Sequence, residues 1–127
     1  MTTNKTPINI VWFKRDLRLH DNEALHNALN APHKTLLVYC FEPLLLNDPH
    51  YSERHWNFIK QSLIDLNKTL SLYQTKILCV TSDIIPLLQA LNETFDIKHI
   101  FSHQETGINA TFERDKKMKR FVRNNMI

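Results

Sequence analysis

The residues best suited to bind a ligand form a charged segment that follows an apolar run near the start of the chain. Arg15, Asp16 and Arg18 lie where a first β-strand is predicted to pass into a first α-helix. In open α/β sheets this point lies at the carboxyl edge of the sheet, where ligands bind. The segment therefore predicts a binding or docking element. The alternative is a surface charge cluster whose ion pairs contribute about 0–1 kcal/mol each.

Further polar residues follow the second and fourth predicted strands. His50 lies in a loop after the second strand, and His103, Gln104 and Glu105 form a turn after the fourth. In the usual order of such sheets the fourth strand lies beside the first, so this turn belongs to the same edge. The predicted strand order therefore brings this turn near the charged segment. The alternatives are a loop histidine without function and, for Glu105, a solvated loop acid.

Several kinds of chemistry find no support in the sequence. The single glycine, Gly107, excludes a glycine-rich phosphate-binding loop. Ser102 and His103 are chain neighbours without a third orienting group, and no G-x-S-x-G elbow occurs. No paired carboxylates suit acid–base catalysis, and no Cys and His spacing resembles a zinc site. We therefore predict no catalytic residue and no metal ligand in this chain.

Four short apolar runs alternate with four longer stretches of helical periodicity, and these elements must position the candidate residues. The runs, 8–13, 35–41, 76–81 and 97–102, are nearly continuous in apolar character, which is typical of buried parallel strands. The helical stretches are 21–29, 53–73, 84–95 and 109–123. This alternation predicts an α/β fold, a doubly wound, Rossmann-like parallel sheet of four to five strands with helices on both faces.

Local signals set the boundaries of the predicted helices. Asp21, Ser52 and either Ser82 or Asp83 are predicted N-caps, because their side-chain oxygens can accept hydrogen bonds from the first helical turn. The second helix has the clearest apolar stripe, and its members recur at spacings of three and four. They are Trp56, Ile59, Leu63, Leu66, Leu70 and Tyr73.

The composition fits one globular domain over residues 1–127. The chain has 43% hydrophobic and 23% charged residues, enough to bury a core at this length. No apolar run approaches a membrane span and the first residues form no signal peptide, which predicts a soluble, cytoplasmic protein without a membrane partner. Cys40 and Cys79 each lie in an apolar run and are predicted to be reduced and buried.

The net charge of +3 is concentrated in the last segment, where residues 114–127 contain six Lys and Arg against one Asp. Lys116, Lys119, Arg120 and Arg123 share one face of the last helix. A solvated or interdomain face is favoured over a phosphate-binding one, since no aromatic residues interleave with these charges. The pattern stops after a helix, which is typical of an excised domain whose open sheet edge can pair in a homodimer.

The opening segment also resembles a family signature. Residues 11–22, VWFKRDLRLHDN, are similar to the V-W-F-R-x-D-L-R-x-x-D-N typical of DNA photolyases and cryptochromes. Residues 41–43, FEP, and the pair of segments 102–107 and 113–115 resemble that family as well. Lys14 stands where the family has arginine, which keeps the charge but loses a planar, bidentate donor.

The resemblance implies a light-dependent flavoprotein family with two parts. An N-terminal α/β domain can hold an antenna chromophore, such as a folate or a deazaflavin. A larger helical domain, absent from residues 1–127, binds FAD and the damaged DNA, and excited reduced flavin repairs the pyrimidine dimer. This chain would then be the antenna domain of an FAD-dependent DNA photolyase, a carbon–carbon lyase, and inactive by itself.

The resemblance also implies roles for single residues. Arg15, Asp16 and Arg18 would join the C-terminal FAD domain and edge the antenna crevice, which the loop of His50 would also border. The turn of His103, Gln104 and Glu105 would belong to the same cofactor site, with Glu105 as the equivalent of an acid that contacts a pterin. Trp12 is predicted to pack in the first strand, as is Phe13. Two alternative functions stay open: a cryptochrome blue-light receptor domain, and a nucleotide-binding α/β domain of the universal-stress or electron-transfer-flavoprotein type.

Overall fold

The computed structural model describes residues 5–14, 17, 19, 22–48, 51–102 and 109–125, without the side chains of Leu44 and of residues 109–113. Strands and helices alternate in these residues with one extra short helix. The order is β1 (Thr6–Phe13), α1 (Glu23–Asn30), β2 (Lys34–Cys40), α2 (Pro43–Leu46), α3 (Glu53–Ser71), β3 (Leu78–Val80), α4 (Ile84–Thr94), β4 (Phe95–Phe101) and α5 (Asn109–Asn124).

The four described strands form one parallel sheet in the order β3-β2-β1-β4, which confirms the predicted fold class. β1 is central, and its Ile10 pairs in register with Leu36 of β2 and Ile100 of β4. Parallel neighbours and helices on both faces leave β1 no solvent-facing side, so its apolar run does not alternate with polar residues.

Successive residues of β1 supply two separate cores, one on each face of the sheet. Val11 and Phe13 pack on one face with residues of α1 and α3. Ile10 and Trp12 pack on the other face, where α4 and Met118 of α5 cover them. Trp12 and Phe13 are therefore core residues, as predicted, and β1 is fixed from both sides.

The helices begin and end close to the predicted boundaries, and their caps show why. Ser52 Oγ accepts from the His55 N–H, which confirms the predicted cap of α3. Asp21 was the wrong choice for α1, since Asn22 Oδ1 accepts from the Leu25 N–H and starts the helix one position later. Asp83 is the N-cap residue of α4 but its side chain makes no capping hydrogen bond.

Several predicted positions are wrong at the edges of elements. Tyr73 lies beyond the end of α3 and is 73% exposed, so it does not extend the apolar stripe. α4 ends at Thr94, one residue earlier than predicted, and Phe95 is both its C-cap and the first residue of β4. Cys79 is exposed rather than buried, because β3 is a three-residue strand at the edge of the described sheet. The short helix α2, begun by Pro43, was not predicted.

None of the described helices is long and apolar enough to cross a bilayer.

Candidate functional site

Four charged side chains meet at the carboxyl edge of the sheet. Lys14 follows β1, Glu42 follows β2, and Arg114 and Asp115 project from α5. The Arg114 Nη1 donates to Glu42 Oε1 at 2.6 Å, and its Nε donates to Asp115 Oδ1 at 3.1 Å. The Lys14 Nζ lies 3.3 and 3.4 Å from the two carboxylate oxygens of Asp115. Two cations and two anions thus form one connected network.

The four side chains of this network are largely buried, so the network affects the stability of the fold. The side chains of Lys14, Glu42 and Arg114 are each 3% exposed, and that of Asp115 is 13% exposed. Charges removed from water cost several kcal/mol each unless partners compensate them, so removing one member leaves an uncompensated buried charge. The network therefore ties α5 firmly to the ends of β1 and β2.

Trp12 forms the apolar floor under both cations. The Lys14 Nζ lies 4.4 Å from the centroid of the Trp12 ring, and the Arg114 guanidinium carbon lies 4.8 Å from it. The negative face of an indole ring attracts a cation, and the attraction is stronger where water is excluded. The alternation of β1 explains this contact, because Trp12 and Lys14 point to the same face of the strand.

A cleft adjoins the network on the side of β2 and α3. Its wall includes Phe13, Tyr39, Cys40, Glu42 and Arg114. The space in it that a water-sized molecule can occupy is about 20 Å³. The cleft therefore has room for about one water molecule.

Aromatic rings gather at the α3 side of this cleft. Tyr51 and His55 have ring centroids 4.7 Å apart, and Trp56 lies 5.4 Å from Tyr51 and 4.9 Å from His55. Phe41 lies 6.1 Å from Trp56 and connects the group to Tyr39 at 5.0 Å. Such rings offer flat apolar surfaces on which a planar heterocycle can stack.

One polar atom of this aromatic group lacks a hydrogen-bond partner. The Trp56 Nε1 is buried, and no acceptor in the described part of the chain lies within hydrogen-bond distance. Buried polar atoms are nearly always satisfied by protein, water or ligand. The Trp56 Nε1 is thus an exception among the described side chains of this group.

The Cys40 thiol lies in the same wall and is kept neutral. Burial raises the pKa of Cys40 to about 12, and the negative charge of Glu42 adds to the rise while Arg114 opposes it. A neutral thiol is a poor nucleophile, since the thiolate is the reactive form. Cys40 therefore contributes packing and not covalent chemistry to the cleft.

The predicted site residues lie outside the part of the chain that the structure describes. They are Arg15, Asp16, Arg18, His50, His103, Gln104 and Glu105. Their neighbours Phe13, Lys14, Tyr51 and Ser102 are described, and they lie at or after the carboxyl ends of strands or beside the cleft. These seven residues stay a prediction.

The network and the aromatic group were missed by the sequence reasoning. Arg114 was counted among the basic residues of the last segment, but it is 5% exposed and ion-paired. The FEP motif contains Glu42, and residues 113–115 contain both Arg114 and Asp115. Both motifs were noted only as resemblances, and a pairing between a strand end and a distant helix could have been inferred from their opposite charges.

Among the described side chains, no three His, Cys, Asp or Glu residues are grouped closely enough to hold a metal ion.

Comparison with known proteins identifies relatives over most of the chain. A family model described as DNA photolyase matches residues 9–127. Cryptochrome DASH of Synechocystis sp. is 33% identical over 104 residues, which cover 78% of this chain and 21% of the relative. Cryptochrome DASH of Arabidopsis thaliana, chloroplastic/mitochondrial, is 30% identical over 105 residues, which cover 78% of this chain and 18% of the relative. The chain thus spans about a fifth of the length of these relatives.

Solved structures share the same fold. The cryptochrome of Synechocystis sp. PCC6803 matches with a TM-score of 0.88 and 26% identity, covering 99% of this chain and 27% of that one. An archaeal photolyase from Sulfolobus tokodaii, solved with two FAD molecules, matches with a TM-score of 0.83 over 93% of this chain and 27% of that one. Because its sequence identity is 24%, this match supports a shared fold and nothing more.

Proposed function

The chain belongs to the DNA photolyase family, and from this membership we propose that it is the N-terminal, antenna-binding α/β domain of a light-driven photolyase. The parent protein would carry FAD in a C-terminal helical domain and would repair pyrimidine dimers in cytoplasmic DNA. The observation that carries the proposal is the aromatic-walled cleft at the carboxyl edge of β1 and β2, where α/β sheets bind their ligands. Catalysis would belong to the rest of the parent protein.

The aromatic side chains of the cleft are of the type that binds a planar antenna molecule. Rings of Tyr51, His55 and Trp56 offer flat surfaces on which a heterocycle can stack. The cleft itself has room for about one water molecule, so the ring system of an antenna would have to lie across its mouth. When bound, a folate or deazaflavin would supply light absorption and energy transfer.

In this proposal the predicted site residues would contribute to the antenna crevice. Arg15, Asp16 and Arg18 come within four positions after Lys14, and they would edge the crevice and contact the FAD domain. His50 precedes Tyr51, and His103, Gln104 and Glu105 follow β4, which lies beside β1. An acid such as Glu105 would accept hydrogen bonds from a pterin. The basic residues of α5, with exposed Lys119 among them, would face solvent or the FAD domain.

A titration of the purified chain with antenna molecules tests the proposal. Methenyltetrahydrofolate and deazariboflavin are added separately, and binding is followed by their absorption and fluorescence. We expect saturable binding of one of the two and a weaker response to ATP. Saturable binding of ATP alone would support a nucleotide-binding α/β domain, an alternative that the family membership already argues against. No saturable binding of any of them would overturn the antenna role of the chain.

A cryptochrome blue-light receptor is the second candidate, and the relatives named cryptochrome DASH favour it. Residues that separate repair from signalling would lie in the FAD domain. The assay is light-dependent loss of cyclobutane pyrimidine dimers from DNA incubated with the full-length parent protein. We expect repair under blue light and none in darkness. A parent protein that binds FAD but leaves the dimers intact would favour the receptor.

A further inference from the structure

The edge of the sheet opposite the cleft combines exposed apolar side chains with lysines. In this parallel sheet each helix runs back between two strands, so α1 and α3 end at the edge where β2 and β3 begin. The ends of both helices lie on the same face, since Ala28 and Leu70 belong to one core cluster. Six residues around these ends form a surface that we call the amino-edge surface. They are Leu29, Lys34, Lys68, Leu72, Tyr73 and Lys76.

The apolar members of the amino-edge surface project far into solvent. Leu29 is 66% exposed, Leu72 80% and Tyr73 73%. Leu72 and Tyr73 belong to a hydrogen-bonded turn, in which the Tyr73 and Thr75 N–H groups donate to the Leu70 carbonyl at 2.9 and 3.3 Å. The turn therefore holds both side chains outward. Single exposed apolar residues are common on soluble proteins, so their exposure alone identifies no partner.

The charges around these apolar residues are all of one sign. Residues 24–41 and 66–82 supply both helix ends and the starts of β2 and β3, and they contain no Asp or Glu. Lys34, Lys68 and Lys76 are their only Lys or Arg residues, and all three are exposed. Lys68 precedes Leu72 by four positions and Lys76 follows it by four. The projecting apolar pair is thus flanked by cations on both sides in the sequence.

The acids of the same edge belong to another part of the sheet. Glu93 and Asp96 lie where α4 passes into β4, and β1 separates β4 from β2. Asp96 is moreover paired with Lys98 at 2.7 Å. The amino-edge surface therefore keeps its positive charge, which is complementary to an anionic partner.

We propose that the amino-edge surface docks the protein on a lipid bilayer that contains anionic lipids. Leu72 and Tyr73 enter the headgroup region, where the amphipathic ring of tyrosine is favoured, and the lysines contact the anionic headgroups. Such a bilayer presents negative charge at its surface and apolar groups just below it. It therefore fits both the cations and the apolar pair between them, whereas charge alone would explain only the lysines.

This inference goes beyond the proposed function and does not depend on it. The sequence predicted no membrane partner because it lacks an apolar run long enough to span a bilayer, and a surface that lies on the headgroups needs no such run. Docking through the amino edge leaves the carboxyl edge, with its cleft, on the side away from the bilayer.

The first test measures co-sedimentation of the purified chain with vesicles. Vesicles of phosphatidylcholine alone are compared with vesicles of equal parts phosphatidylcholine and phosphatidylserine, and we expect binding to the second kind only. Leu72→Ser/Tyr73→Ser should bind about tenfold more weakly, because it loses the apolar contact. Phe58→Ser is the matched control, since Phe58 is 69% exposed near the start of α3 and should not contribute. No binding, or full binding by the double variant, would overturn the proposal.

The second test separates this surface from the more basic helix α5. Lys68→Gln/Lys76→Gln should weaken binding by about fivefold for each lysine. Lys117→Gln/Lys119→Gln removes the same charge from exposed residues of α5 and should weaken binding by less than about twofold. Equal losses for the two double variants would show a general attraction of a basic chain to the vesicles and would overturn the proposal.

The third test reads the orientation of the bound chain. In vesicles whose phosphatidylcholine carries bromine on its acyl chains, Tyr73→Trp should show strong quenching of its added fluorescence, and Phe58→Trp should show little. Equal quenching of both variants would overturn the proposed orientation. A chain that binds no vesicles but forms a dimer that Leu72→Ser/Tyr73→Ser abolishes in sedimentation velocity would assign the surface to a second copy instead.

Discussion

The Arg114 guanidinium and the Glu42 carboxylate form a buried ion pair across 72 positions of the sequence, with an Nη1–Oε1 distance of 2.6 Å and both side chains 3% exposed. One partner belongs to α5 and the other lies two residues after the end of β2. Since Arg114 also donates to Asp115 and lies over Trp12, it contacts the ends of two strands at once. The pair therefore sets the position of α5 against the wall of the cleft.

Replacing Arg114 by methionine should destabilise the chain strongly. Arg114→Met keeps much of the side-chain volume but leaves the Glu42 carboxylate buried without its guanidinium, which costs about 3–5 kcal/mol. The free energy of unfolding is measured by urea denaturation. Arg123→Met on the exposed face of the same helix is the matched control and should change it by less than about 0.5 kcal/mol. A loss for Arg114→Met no larger than for the control would contradict a buried pair.

The double variant Arg114→Met/Glu42→Leu separates the pair from its two members. Replacing both charges by apolar groups removes the uncompensated carboxylate, and such replacements are often neutral or stabilising. We expect it to recover most of the stability lost in Arg114→Met, so the two substitutions are strongly non-additive. Additive losses, with the double variant less stable than either single one, would show that the two side chains act independently.

Lys14 should accept arginine with little loss of stability. The Lys14 Nζ lies 3.3 Å from Asp115 Oδ2 and 4.4 Å from the Trp12 ring, so a planar guanidinium could bind the carboxylate bidentately and stack on the indole. We expect Lys14→Arg to change the free energy of unfolding by less than about 1 kcal/mol, and Lys14→Met to lower it by about 1–3 kcal/mol. The free energies of unfolding of the three proteins are measured by urea denaturation. Equal losses of stability for both variants would exclude a role for the charge of Lys14.

Most of the fold could be predicted because its signals are local. The apolar run of β1 and the Ser52 cap of α3 need only a few neighbouring residues, and both are confirmed. The predicted element boundaries were wrong where the local sequence was compatible with two assignments. Asp21 and Asn22 are both good caps, and Phe95 suits the last turn of a helix as well as the first position of a strand.

The candidate site was harder to predict because its contacts are long-range. Arg114 reads as one more cation in a basic segment until α5 is placed over Trp12. Trp56 reads as part of an apolar stripe, and only the packing around its ring shows that the N–H is buried without an acceptor. Composition and spacing carry no information on such distances, so the sequence indicated the edge of the sheet but not its buried network.

Stability should fall at alkaline pH because of Cys40. Burial, followed by the charge of Glu42, raises the pKa of this thiol from 9.0 to about 12. Between these values the unfolded chain loses the proton and the folded chain keeps it, so the contribution is present below pH 9 and is lost as the pH rises toward 12. From pH 8 to pH 10 we expect the natural chain to lose about 1.4 kcal/mol more than Cys40→Ala in urea denaturation. Identical pH slopes would contradict a buried neutral thiol.

The two cysteines should differ in reactivity toward a thiol reagent. Cys79 is exposed on β3, whereas Cys40 is buried and neutral. With a chromogenic disulfide at pH 8 we expect one thiol to react quickly in the folded chain and the second only after denaturation. Cys79→Ser should abolish the fast phase, and Cys40→Ala should leave it intact. A fast phase that persists in Cys79→Ser would show that the cleft opens to admit the reagent.

Self-association through β4 is the remaining prediction, and the structure indicates that it should be weak. β4 lies at the edge of the described sheet, which is the surface that a second copy could extend by strand pairing. Lys98 opposes this pairing. It is skipped in the register between β1 and β4, where Ile97 pairs with Ile8 and His99 with Asn9, and this irregularity is a β-bulge.

Bulges and lysines on edge strands both hinder pairing between sheets, so removing them should strengthen the dimer. Lys98 also lies 2.7 Å from Asp96 in a surface ion pair, which keeps its charge beside the edge. We expect sedimentation velocity to show a weak, reversible dimer for the natural chain and a tighter one for Lys98→Thr. Lys117→Thr, an exposed charge on α5, is the control and should behave as the natural chain. If Lys98→Thr stays monomeric at the highest concentration, the edge of β4 is not a dimer interface.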